Sequence, residues 1–107
     1  MTTLTTIKAP VHFVRTCISE ALNSARYGDD AMAFTRLEAA IREADTAITR
    51  VGDAFASASL VLTAARHGAE SAHRAIIEGN SDEAIGALRA TLAALNNVPA
   101  IIEAHTD

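Results

Sequence analysis

A run of apolar residues, spaced alternately three and four positions apart, extends from Phe34 to Ile76. This spacing places its members on one face of an α-helix, and a second row of mostly alanine residues widens that face to the width that is typical of helices in bundles. On the opposite side, Glu38 precedes Arg42 by four positions, which favours an exposed ion pair. Alanine contributes 24 of the 107 residues and aromatic residues only 4%. Because strands favour β-branched and aromatic side chains whereas alanine favours helix, the sequence predicts an all-α fold.

Three glycines, each followed by Asp or Asn, divide the chain into segments of helical length: Gly28-Asp29, Gly52-Asp53 and Gly79-Asn80. Glycine suits the end of a helix, and Asp or Asn suits the cap of the next one. Asn80 and Glu83 also have the spacing of a capping box. The predicted architecture is a small antiparallel bundle of about four helices. The predicted helices are 10–27, 30–51, 53–78 and 81–96.

An alternative interpretation has one long, kinked central helix, because the hydrophobic spacing continues across Gly52 without a change of phase. The first and last helices would then fold back on its two halves. Pro10 suits the first turn of a helix, so residues 1–9 are expected to form a flexible tail. Pro99 interrupts the last helix, and residues 99–104 are expected to form a short terminal turn. The chain of 107 residues is predicted to be a single domain.

The charge distribution argues against direct binding of nucleic acid. The net charge is −4, and the nine basic residues are mostly isolated arginines, whereas a phosphate backbone requires clustered Lys and Arg. Cys17 is the sole cysteine, so an internal disulfide is impossible and a reducing compartment is compatible. The N-terminus lacks the pattern of a signal peptide, and the longest uncharged stretch in the middle of the chain is far shorter than the ~20 residues that span a bilayer. The sequence therefore predicts a cytoplasmic protein without membrane contact.

The segment ARHGAESAHRA, residues 64–74, brings four polar residues close together in the chain: Arg66, His67, Glu70 and His73. In the register of the apolar row, Arg66 and His73 flank the apolar face, and His67 and Glu70 lie outside it. We therefore interpret all four as polar residues on the solvent side of a helix. No catalytic, cofactor-binding or metal-binding residue is assigned from the sequence.

Arg66, six intervening residues and His73 resemble the Arg-x6-His form found in the widest definition of HEPN ribonucleases, which are also small helical bundles. The resemblance covers these eight residues, with His67 in place of the asparagine that often follows the arginine. It implies cleavage of RNA, with Arg66 and His73 acting on the scissile phosphate. The tyrosine that often follows the histidine is absent from this sequence. A HEPN-like ribonuclease is therefore the first alternative function.

Glu70 and His73 have the spacing of the Glu-x-x-His pairs in di-iron bundles, which places both ligands on one helix face. A single-chain site of this kind requires a second such pair, and the sequence contains none. A symmetric dimer could supply the second pair, with Glu38 or Glu43 as a further ligand. A metal-binding helical bundle that uses Glu70 and His73 is therefore the second alternative function.

The segment AFASASLVLTAA, residues 54–65, is apolar nearly all round, because Ala56, Leu60 and Ala64 oppose the main apolar row. A helix that is apolar on every side has to be covered on every side, so we expect a homodimer that forms partly through residues 54–65. The sequence thus predicts a non-catalytic module that contacts an unidentified protein partner as an adaptor, regulator or inhibitor. In type, the chain resembles the small, acidic, helical inhibitors of phages and mobile elements.

Overall fold

The computed structural model describes the backbone of residues 4–51 and 56–96 and the side-chain environments of residues 11–50 and 59–96. The described backbone forms four α-helices: α1, Leu4–Arg26; α2, Asp30–Val51; α3, Ala56–Ile77; and α4, Ser81–Asn96. Each helix packs extensively against two others, in the ring α1–α2–α3–α4 and back to α1. This arrangement confirms the predicted all-α bundle of four helices.

α2 and α3 lie side by side and antiparallel. Asp45, late in α2, contacts Arg66 near the middle of α3, whereas Phe34, early in α2, contacts His73 late in α3. A single continuous helix cannot fold back on itself in this way, so the alternative of one long, kinked central helix is wrong. Gly52 itself lies outside the described residues.

The first helix begins earlier than the sequence predicted. α1 starts at Leu4 rather than at residue 10, so residues 4–9 are helical and Pro10 is the seventh residue of α1. The prediction took Pro10 as a marker of the first turn. In the sequence, Leu4 and Ile7 continue the spacing of the apolar row that follows, a helical period that the prediction did not take into account before Pro10. The predicted turn at 99–104 lies outside the described residues.

α1 and α3 end in the same way. Gly28 and Gly79 follow these helices with φ angles of 78° and 76°, in the left-handed region that glycine adopts at little cost. The amides of the next residues, Asp29 and Asn80, each donate at 2.8 Å to a backbone carbonyl five residues back. This is the hydrogen bond of a Schellman motif, as expected for glycine at the end of a helix.

The residues after these glycines cap the next helices. Asp29 Oδ1 accepts a hydrogen bond from the Met32 amide at 3.1 Å, so Asp29 is the cap of α2. Asn80 Oδ1 accepts from the Glu83 amide at 3.4 Å, and Asn80 Nδ2 donates to Glu83 Oε2 at 2.8 Å. The predicted pairing of Asn80 with Glu83 is therefore confirmed.

The α1–α2 and α3–α4 hairpins bury equivalent positions. Nine buried residues of the first hairpin are each followed, 51 positions later, by a buried residue of the second. In the first hairpin these residues are Val11, Val14, Ile18, Ala21, Ala25, Ala33, Leu37, Ala40 and Ala44, and in the second they are Leu62, Ala65, Ala69, Ala72, Ile76, Ala84, Leu88, Thr91 and Leu95. The bundle is thus built from two hairpins of the same design, with their turns at the same end.

Alanines form most of the buried face of α2, and most of the larger apolar residues of the predicted row lie at its edge. The buried residues of α2 are Ala33, Leu37, Ala40, Ala44 and Ala47. Phe34, Ile41 and Ile48 are only partly buried, against the edge of this core. Small side chains let helices approach closely, so the larger side chains occupy the margin; Phe34 and Ile41 lie there beside His73 of α3.

Candidate functional site

Three of the four polar residues from the segment 64–74 lie where α3 meets α2. Arg66, Glu70 and His73 are half-buried, and His67 is exposed. Residues spaced by four and three positions share one helix face, so these three side chains follow one edge of α3. We define the α2–α3 seam as these three residues together with the residues of α2 that they contact, Asp45 and Phe34.

Arg66 is held between two carboxylates. Its terminal nitrogen donates to Asp45 Oδ1 at 2.9 Å, and its Nε lies 3.5 Å from Glu70 Oε1, an ion pair without hydrogen-bond geometry. The hydrogen bond to Asp45 is the main cause that raises the pKa of Arg66 above its ordinary value. The charges of Asp45 and Glu70 add to this effect, and a partial loss of hydration opposes it. The guanidinium is therefore charged and already engaged within the protein.

His73 contacts an aromatic ring rather than a polar partner. The ring centroids of His73 and Phe34 are 4.2 Å apart and the ring planes are tilted by 31°, close to offset stacking. The Nε2 atom of His73 is shielded from solvent and has no hydrogen-bond partner among the described residues. A polar atom left in this state costs about 1–3 kcal/mol. The stacking on Phe34 therefore positions this imidazole, and its Nε2 atom makes no hydrogen bond with the described residues.

A shallow depression lies beside His73 on the outer side of the seam. Its volume is about 250 Å³, and Glu38, Ile41, Arg42 and His73 line it. The sequence predicted an ion pair between Glu38 and Arg42, but this pair is absent from the ion pairs of the described residues. Because these side chains lie around an opening to solvent, water competes with their mutual attraction.

Cys17 lies on α1, within reach of the charged residues of α1 and α2. The thiol is half-buried, and burial is the main cause that raises its pKa above the ordinary value. The negative charges of Glu20 and Glu43 act in the same direction, while Arg36 and Arg42 oppose them. Glu20 is itself paired with Arg36 at 2.9 Å. A thiol with a raised pKa is a poor nucleophile at neutral pH.

Arg66 and His73 are separated along the seam and have different partners. They lie seven residues apart on α3, a rise of roughly 10 Å. Arg66 contacts Asp45 and Glu70, and His73 contacts Phe34, so the two side chains are not directed at a common point. No group of three or more His, Cys, Asp or Glu side chains in the described part of the chain could hold a metal ion.

The sequence did not identify the partners of this segment. Asp45 precedes Arg66 by 21 positions, and only the packing of α2 on α3 brings the two residues together. The sequence did anticipate an apolar outer face on α3. Leu60 has 71% of its surface exposed, and Ala64 is exposed one turn later on the same face.

None of the protein-family models, curated proteins and solved structures with which the chain was compared matches it. Among the helices of the described residues, none combines the length and apolar character that crossing a lipid bilayer requires.

Proposed function

We propose that this protein is a non-catalytic helical interaction module, which acts on a partner protein as an adaptor, regulator or inhibitor. The observation that carries the proposal is the outer face of α3, where Leu60 and Ala64 point to solvent. The described side chains that flank Leu60, namely Ser59, Val61 and Thr63, carry no charge, and His67 is exposed one turn after Ala64. An uncharged helix face with an exposed leucine is a suitable surface for another protein, because burying it costs no charged group its hydration.

The state of the polar residues in the seam supports a non-catalytic role. A ribonuclease that uses Arg66 and His73 needs both side chains to reach the same phosphate. Arg66 instead neutralises Asp45 and Glu70, and His73 stacks on Phe34. A metal site that uses Glu70 and His73 meets the same difficulty, because the carboxylate of Glu70 is paired with Arg66.

Self-association through residues 54–65 is part of this proposal. A second copy that covers Leu60 and Ala64 would remove both from water, and burying one leucine side chain is worth about 1.5–3 kcal/mol. In type, the chain resembles the small, acidic inhibitors of phages and mobile elements. This resemblance supports a role as an inhibitor of a larger protein complex. The single cysteine is compatible with action in the cytoplasm.

The oligomeric state tests the proposed surface. We expect light scattering after size exclusion to give the wild type about twice the chain mass of 11.2 kDa. Leu60→Glu should give the mass of one chain, because a carboxylate cannot be buried at that position. Phe13→Glu is the matched control, since Phe13 is also exposed, at 57%, but lies on α1. A monomeric wild type, or a Leu60→Glu variant of unchanged mass, would contradict self-association through α3.

Activity assays test the non-catalytic role. Labelled RNA is incubated with the wild type and with His73→Ala, and metal content is measured in the same preparations. We expect no cleavage by either protein and no bound iron. Cleavage by the wild type that is lost in His73→Ala would support the HEPN-like alternative and overturn the proposal. Affinity capture from the native host, with wild type and Leu60→Glu in parallel, then identifies partners that require the α3 face.

A further inference from the structure

The two hairpin turns form one surface at an end of the bundle. We define the turn end as residues 26–32, between α1 and α2, and residues 77–83, between α3 and α4. Ser81 Oγ donates to Asp30 Oδ1 at 3.4 Å, a contact between the two segments. The turn end is therefore continuous across the two hairpins. It is separate from Leu60 and Ala64, which lie towards the opposite end of α3.

Large apolar side chains are concentrated at the turn end. Five such side chains are exposed among the described residues, and three of them belong to this surface. Tyr27 is 87% exposed, Ile77 is 65% exposed and Met32 is 42% exposed. Tyrosine and methionine are enriched in protein interfaces, where their size contributes contact area. These three side chains give the turn end an apolar component that the described fold does not use.

The net charge of the protein also comes from the turn end. Five carboxylates lie in its two segments, and Arg26 is the single basic residue there, which gives the turn end a charge of −4. The whole chain has the same net charge of −4, so the remaining residues of the sequence are balanced. A charge imbalance confined to one end attracts partners of the opposite sign to that end.

Helix stability accounts for only part of this negative charge. Asp30, Asp82 and Glu83 lie in the first turns of α2 and α4, where carboxylates interact favourably with the helix dipole. Glu78 directly follows the last residue of α3, where the dipole makes a negative charge unfavourable. The helix dipole therefore does not account for Glu78, and packing within the described residues does not account for Tyr27, which is 87% exposed.

We propose that the turn end binds a basic segment of a partner protein. Lys or Arg side chains of this segment face the turn-end carboxylates, and an apolar part of it packs against Tyr27 and Ile77. The negative charge repels the phosphates of a nucleic acid, which leaves a basic protein surface as the complementary partner. This inference rests on the proposed function, because both require that the chain acts through protein contact.

Peptide selection tests the proposal on the full-length protein. A library of random twelve-residue peptides displayed on phage is selected against the immobilised wild type, and one enriched peptide is synthesised for titration. We expect enriched peptides to carry two or more Lys or Arg residues beside an aromatic or aliphatic residue. Backbone amide resonances of residues 26–32 and 77–83 should shift on binding, and affinity should fall as salt concentration rises.

Variants connect this binding to the named residues. We expect the affinity for the peptide to fall by about tenfold or more in two variants. One is the double variant Tyr27→Ser with Ile77→Ser, and the other is Glu78→Arg. The matched controls are Phe13→Ser and Glu43→Arg, which change an exposed apolar residue and reverse the charge of an exposed acidic residue away from the turn end. Glu78→Arg favours the end of α3, so it remains informative if the double variant fails to fold.

Several outcomes would overturn the proposal. They are a selection without enrichment, enriched peptides that lack basic residues, resonance shifts elsewhere, and equal binding by the turn-end variants and the controls. Binding of magnesium or calcium ions at the turn end, without peptide binding, would also overturn it. Each failure leaves the proposed function standing if Leu60→Glu still abolishes self-association. Cleavage of RNA that depends on His73 would instead remove the proposed function itself.

Discussion

Gly68 of α3 lies so close to Thr91 of α4 that a Cβ atom at position 68 would overlap Thr91 Oγ1 and approach Thr91 Cβ to 3.2 Å. The hydroxyl of Thr91 meanwhile donates to the Ala87 carbonyl at 2.7 Å. The equivalent positions of the first hairpin, 51 residues earlier, hold Cys17 and Ala40. The α3–α4 hairpin therefore has glycine and threonine at two positions where the α1–α2 hairpin has cysteine and alanine.

Gly68→Ala is expected to destabilise the protein. Alanine favours helix over glycine by about 1 kcal/mol, but its Cβ has no room opposite Thr91, and overpacking of this kind costs about 1–3 kcal/mol. Rotation of the Thr91 side chain gives little relief, because it is branched at Cβ and would break its hydrogen bond. Urea denaturation should therefore show a lower free energy of unfolding.

Gly86→Ala is the matched control for this prediction. Gly86 lies inside α4, and a Cβ atom there would meet nothing within 4 Å. The same substitution should therefore stabilise the protein by about 0.5–1 kcal/mol. Thr91→Ala added to Gly68→Ala should recover stability relative to Gly68→Ala alone. Equal stability of Gly68→Ala and Gly86→Ala would show that the α3–α4 contact is not tight.

Cys17 should make the protein less stable at alkaline pH. The thiol pKa is raised in the folded state, mainly by burial. Both states hold the neutral thiol below the unfolded pKa, so its contribution to stability is fully present there and is lost as the pH rises through the folded pKa. The urea midpoint of the wild type should therefore fall between pH 8 and pH 10 by more than that of Cys17→Ala. Parallel curves for the two proteins would show that the folded environment does not disfavour the thiolate.

The ion pair between Arg66 and Asp45 should contribute little to stability. Both side chains are partly exposed, and pairs of this kind are worth about 0–1 kcal/mol. A double-mutant cycle with Arg66→Ala and Asp45→Ala, measured by urea denaturation, should give a coupling energy in this range that decreases at high salt. Arg89→Ala on α4 serves as a control for the loss of an exposed arginine. A coupling energy of several kcal/mol would contradict this prediction and show that the ion pair between Arg66 and Asp45 contributes strongly to stability.

The caps of α2 and α4 should each contribute measurably to folding. Asp29→Ala and Asn80→Ala remove the acceptor for the Met32 and Glu83 amides, and each should lower the free energy of unfolding by about 1 kcal/mol. This corresponds to roughly 4–8 °C in Tm by circular dichroism. Asn80→Gly should cost only a few tenths of a kcal/mol, because glycine is also a good cap. If Asn80→Gly is as unstable as Asn80→Ala, the loss of stability comes from the side-chain pairing of Asn80 with Glu83 and not from the helix cap.

Several features of the fold could be predicted because they depend on residues close together in the chain. Gly28 and Gly79 end their helices and Asn80 pairs with Glu83 through contacts that span at most five residues. Such contacts do not depend on which helices become neighbours in the bundle. Pro10 shows the limit of this reasoning, because a residue that is typical of the first turn of a helix stands seven residues into α1.

The α2–α3 seam could be predicted only in part. The helical period places Arg66, Glu70 and His73 along one edge of α3, but it does not say what lies opposite. Asp45 and Phe34 became their partners because α2 packs on α3 in the antiparallel direction. The same packing gave alanines the centre of the α2 face and left the larger apolar residues at its margin.

Local sequence was thus sufficient for the all-helical character, the two glycine turns and the exposed apolar face of α3 at Leu60, because propensity, capping and the helical period act over a few residues. The contact of Gly68 with Thr91, the engagement of Arg66 and the gathering of net charge and apolar surface at one end arose from assembly. Each of these depends on which helices become neighbours and on how far each is rotated about its axis. That rotation is selected by close packing over the whole bundle, and no short segment of the chain contains it.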